Sequence, residues 1–71
     1  MNLLNIINDI LCNEDLDPIT ELKDDMKLIN DLKFDSLMLA ELTVRIEDEI
    51  GIDIFEDGVI STIRDIIKKI D

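Results

Sequence analysis

Residues 34–52, FDSLMLAELTVRIEDEIGI, constrain the fold most, because a helix start, an apolar stripe and a helix stop fall in register there. Asp35 is a favourable N-cap, since its carboxylate can accept the orphan backbone N–H groups of a first turn. Gly51 supplies a left-handed residue where such a helix must end. The pair predicts a helix from Ser36 to Ile50. At about 100° per residue, Leu39, Leu42, Thr43, Ile46 and Ile50 share one side, and Leu37, Glu41, Val44 and Asp48 the other, with Ala40 and Glu47 flanking. The first set reads as a core face. The second sets two apolar residues among acids on the side turned to water: either ordinary surface, or a docking face with a small apolar centre and an acidic rim.

Ser36 occupies the first helical position, with its hydroxyl at the positive end of the helix dipole. A phosphate ester there would meet unsatisfied backbone N–H groups, although an Asp-Ser-Leu tripeptide alone is as readily a plain helix start. The surroundings add to it: Leu28, Asp31 and Leu32 upstream, Asp35-Ser36-Leu37, the acidic helix, Gly51-Ile52-Asp53-Ile54, and Thr62-Ile63-Arg64-Asp65-Ile66. Over nearly the whole chain this pattern resembles the acyl carrier protein family. The resemblance implies that Ser36, flanked by Asp35 and Leu37, receives 4′-phosphopantetheine, and that the helix it opens is the recognition helix. It further implies that a phosphopantetheinyl transferase loads Ser36 from coenzyme A with magnesium, and that acyl groups ride as thioesters on the arm. The sequence departs from the family at Lys33-Phe34, where many relatives have a glycine, and at Met38, where fatty-acid carriers commonly have an acid. Asp-Ser-Leu-Met is closer to polyketide-type carriers, so fatty-acid and polyketide biosynthesis both stand, with an aminoacyl, peptidyl or D-alanyl carrier as the alternative.

Seventy-one residues make one domain, 1–71, with a thin core, since a chain this short buries only about 60% of its unfolded surface. Aromatic residues are 3% of the chain, so Ile and Leu must fill that core. The formal charge of −11 repels nucleic acid and anionic lipid and favours basic patches on partner proteins. Charge of this size also opposes compaction, so added salt is expected to raise the melting temperature. The same melting temperature at low and moderate ionic strength would contradict this. No apolar run approaches the ~18 residues of a membrane span, and no secretory leader is recognisable, which predicts a cytoplasmic protein. The start at Met1 and the stop just after the last expected helix suit a free-standing, monomeric carrier, and an excised module would look similar. With one cysteine, Cys12, and no histidine, neither an internal disulfide nor a zinc site is expected.

Along the chain, residues 2–12 predict a first amphipathic helix lined by Leu3, Ile7 and Ile10. A long connection follows, with Leu16, Ile19, Leu22, Leu28, Ile29 and Leu32 as anchors and a helical turn at residues 20–25. Asn13, Asp15, Asp17 and Asp24 fall at calcium-loop spacings, but Pro18 stands where the turn glycine is needed and Asp24 where the bidentate glutamate is needed. Residues 52–60 predict at most two helical turns, with Phe55, Val59 and Ile60 inward and Gly58 weakening them. Ser61 or Thr62 caps a last helix with Asp65 in its first turn, Lys68 and Lys69 in its last, and Ile63, Ile66, Ile67 and Ile70 as its buried stripe.

The expected fold is therefore all-α, a small acyl-carrier-like bundle of three main helices plus a short one, with a long loop between the first two. No histidine or tyrosine is present and the thiol lacks an activating imidazole, so the chain is not expected to be an enzyme. The candidate partner face is Leu37, Ala40, Glu41, Val44, Glu47 and Asp48. An unmodified acidic bundle docking on a basic partner is the competing reading from another class.

Overall fold

Asn2 stands ahead of Leu3-Leu4 in extended conformation, and its Oδ1 accepts the Asn5 N–H at 3.1 Å, opening helix α1 (Leu3–Asn13). Leu3, Ile6, Ile7, Ile10 and Leu11 are buried at the spacing that lines one side of a helix. The computed structural model describes residues 2–56, 58 and 60–70. Helix α1 ends without a glycine. Asp15 takes the left-handed conformation at φ 59°, its N–H donates to Cys12 O, and the Leu16 N–H donates to Leu11 O at 2.8 Å. That closing pattern satisfies the terminal carbonyls and turns Leu16 back onto the core.

The long connection is held by both backbone and side chains. Asn8 Oδ1 accepts the Ile19 N–H at 2.8 Å while Asn8 Nδ2 donates to Ile19 O at 2.9 Å, so one amide replaces the two hydrogen bonds a sheet neighbour would give. Asn8→Ala strands both half-buried backbone groups and is expected to cost about 1–2 kcal/mol in urea denaturation. A wild-type denaturation midpoint would show that water serves Ile19 equally well. Residues 20–25 make no helix; the Met26 N–H closes a turn on Lys23 O, and the segment then pairs with the start of the last helix. Leu28 N–H donates to Ser61 O, Ile63 N–H to Met26 O and Arg64 N–H to Asp24 O, each at 3.0 Å, around an antiparallel bridge between Lys27 and Thr62. Local propensity loses here to a non-local ladder.

Of the expected anchors, Leu28 and Leu32 are buried and Leu16, Ile19 and Leu22 are half-buried, but Ile29 is 60% exposed. The cause is a turn over residues 27–32, in which Asp31 and Leu32 N–H groups both donate to Lys27 O. Leu28 and Leu32, four apart, share its inner side, and Ile29 is rotated outward. Lys33 then adopts φ 64°, reversing the chain so that Phe34 enters the core at 2% exposure.

Helix α2 (Ser36–Ile50) stops at Gly51, which has φ 74° and donates its N–H to Glu47 O at 2.7 Å. Among the described residues of 52–60 there is only a turn at 54–56, not the expected short helix. Asp53 Oδ1 accepts the Phe55 N–H at 2.9 Å, a side-chain bond that competes with helical pairing. Ile54, not among the residues expected inward, is fully buried; Ile60 is buried and Phe55 half-buried, and Val59 lies outside the described residues.

Helix α3 (Ile63–Ile70) buries Ile63 and Ile66, with Ile67 and Ile70 packed at the edge of the same core. Its start is a reciprocal cap: Thr62 Oγ1 accepts the Asp65 N–H, and Asp65 Oδ2 accepts from Thr62 N–H, Ser61 N–H and Ser61 Oγ–H. The Ser61 backbone bond, followed by that of Thr62, holds the Asp65 carboxyl below its usual pKa of 3.8. A depressed folded pKa stabilises above 3.8 and the benefit is lost as pH falls through the lower folded value. The gap in melting temperature between wild type and Asp65→Asn should therefore be full near neutrality and close in acid. Relief of the general acidic repulsion acts on both proteins alike and leaves the difference intact. A gap that fails to narrow as pH falls below 3.8 would mean the charge is not what caps α3.

All three helices contribute to one core of Ile, Leu, Met and Phe, with no buried polar or charged side chain among the described residues. Arg45 on α2 reaches Asp9 on α1 at 3.6 Å and Glu41 at 3.4 Å, bracing the two longest helices at the surface.

Candidate functional site

The start of α2 is fixed by side chains on both sides of Ser36. Asp35 is extended at φ −109°, its Oδ1 accepts the Met38 N–H at 2.9 Å, and its carbonyl accepts the Leu39 N–H at 3.0 Å. Phe34 before it and Met38 after it are each 2% exposed and pin the helix start to the core. Between them Ser36 is exposed, and among the described residues its hydroxyl and N–H make no hydrogen bond. The other serine is spent in the α3 cap, Thr62 likewise, and Thr43 Oγ1 donates to Leu39 O at 2.9 Å.

The buried stripe of α2 is Met38, Leu42 and Ile46, one turn apart. This corrects the face read from the sequence: Leu39 and Thr43 are only half-buried and Ile50 is 37% exposed. Phe34 and Met38 together claim the core side, rotating the helix so that Leu39 lies at its edge and the final turn runs past the packed region. The outer stripe stands as expected. Leu37 is 70% and Val44 63% exposed, Ala40, Glu47 and Asp48 are exposed, and Glu41 is half-buried.

Leu37, Ala40, Glu41 and Val44 line a shallow groove of about 400 Å³ whose far wall is Glu14, at the end of α1. Sequence reasoning missed Glu14, since no local signal places the end of α1 beside the outer stripe of α2. It also missed Arg45, which balances Glu41 from the next turn of the same helix. The Cys12 thiol is exposed on the last turn of α1.

A family described as a phosphopantetheine attachment site matches residues 2–70. The chain belongs to the acyl carrier protein family. This family member is 39% identical over 56 residues to an acyl carrier protein of Cyanophora paradoxa, covering 79% of this chain and 54% of that protein. It is 50% identical over 48 residues to the acyl carrier proteins of Rickettsia massiliae and Rickettsia prowazekii, covering 65% of this chain and 56% of each. The chain thus spans little more than half the length of the curated relatives it matches. No solved structure matches it significantly. The group such a carrier takes is 4′-phosphopantetheine, and the start of α2 fits it: an exposed, unbonded hydroxyl beside free backbone donors at the positive end of a 15-residue helix.

Proposed function

We propose that Ser36 is the residue esterified by 4′-phosphopantetheine and that the chain is an acyl carrier, passing cargo among enzymes of fatty-acid or polyketide biosynthesis. One observation carries this: Ser36 is the serine left unbonded and exposed, and it opens the longest helix. Asp35 holds the helix start rigid from one side, and Leu37 meets the loading enzyme on the other. The arm, once attached, supplies the terminal thiol on which cargo is held. The chain contributes no acid, base or nucleophile to the cargo, so bond making and breaking belong to the partners, a phosphopantetheinyl transferase first.

Leu37, Ala40, Glu41, Val44, Glu47 and Asp48 form the face those partners read, acids steering toward Lys/Arg-rich patches and the apolar centre giving a small contact that releases readily. The carrier acts as a monomer of one domain in the cytoplasm; no helix among the described residues is long and apolar enough to cross a membrane. Incubation of the unmodified protein with coenzyme A, magnesium and a broad-specificity transferase is expected to add the mass of one phosphopantetheine. An unchanged mass overturns the proposal.

A further inference from the structure

We infer that the groove between the end of α1 and the outer stripe of α2 receives one aliphatic side chain of a partner protein together with a neighbouring lysine or arginine, and that Glu14 rather than Glu41 takes that cation. The inference rests on the carrier reading for the partner's existence, and it fixes where the partner's charge goes. Leu37, Ala40 and Val44 make an apolar floor in one stripe, and a space of about 400 Å³ has room for an aliphatic side chain. The two acids at its rim differ. Glu41 already faces the Arg45 guanidinium at 3.4 Å, which also reaches Asp9 at 3.6 Å, so Glu41 has a basic partner within the fold.

Glu14 has no lysine or arginine within ion-pairing distance among the described residues. It caps the C-terminal end of α1, where helix carbonyls concentrate negative potential, and no basic residue lies in the last turn to offset them. Asp15 follows directly and is exposed as well. Of the two acids lining the groove, Glu14 is therefore the one without a basic partner, and a cation seated there places its aliphatic neighbour over Leu37 and Val44. The docking face spans two helices, not one.

Loading kinetics with the same broad-specificity transferase test this at low ionic strength. Glu14→Gln is expected to raise the KM for the carrier about threefold to fivefold, more than Glu41→Gln does, with kcat unchanged and the melting temperature no lower than that of wild type, because an acid is lost from the negative end of α1. Val44→Asp, which puts a charge on the floor, should raise KM further. The loop variant Asp17→Asn, which removes one equal charge from a residue that does not line the groove, should load as wild type, and the Glu14→Gln loss should fade in salt. A Glu14→Gln protein with wild-type KM, a larger loss at Glu41, or a matching loss at Asp17 overturns the inference while the carrier reading stands. A wild-type chain that takes up no arm, seen by mass before any KM is compared, overturns both.

Discussion

Ser36→Ala is expected to abolish uptake of the phosphopantetheine arm while leaving thermal unfolding almost unmoved. The two halves of that expectation have separate causes. Loading needs a nucleophilic oxygen, and alanine has none. Stability does not need it, because the Ser36 hydroxyl makes no hydrogen bond, the side chain is exposed, and Asp35 still caps the Met38 N–H. Alanine is also the better helix former by a few tenths of a kcal/mol, so the net change should lie within about 0.5 kcal/mol in either direction. Mass spectrometry after incubation reads the first half and a melting curve the second. A Ser36→Ala protein that still gains one arm would move the attachment elsewhere, with the exposed Thr20 hydroxyl the next to examine. One that unfolds would show that Ser36 supports the core, contrary to its position.

The helix that carries this serine was legible because its two ends are local. A carboxylate three residues before the N–H it caps, and a glycine at the one position needing positive φ, are visible in a single stretch of sequence. The other features depend on what packs against what. Leu39 and Met38 are both apolar neighbours, and no periodicity decides which faces inward; Phe34, turned in by the left-handed Lys33, makes it Met38. The helical turn expected at residues 20–25 does not form because the Asp24 carbonyl is taken by the Arg64 N–H, some forty residues away at the start of α3. The short helix expected in 52–60 gives way to the Asp53 side-chain turn, in which a local bond beats a weak propensity. In the site the same division holds. Leu37, Glu41 and Val44 follow from helical spacing, whereas Glu14 joins them only through the tertiary fold.

Leu42→Ala should act in the opposite way to Ser36→Ala, removing the fold and only thereby the function. Leu42 is fully buried between Met38 and Ile46 on the inner stripe of α2, in a core filled by α1, α3 and the anchored loop. Truncation leaves a cavity that rigid neighbours fill incompletely, at a cost of about 2–5 kcal/mol. For a chain of 71 residues, total stability at ordinary values per residue is about 4–11 kcal/mol, and the charge of −11 pulls toward the lower end at low salt. The variant is therefore expected to lose a third or more of its stability, unfolding partly at low ionic strength and recovering when salt is added. Leu37→Ala, five residues earlier on the same helix, removes a side chain that is 70% exposed and should change stability by no more than about 0.5 kcal/mol. Denaturant unfolding of the pair decides the orientation of α2. Equal midpoints would mean that Leu42 does not face the interior, and then Leu37 and Val44 would no longer be free to face a partner.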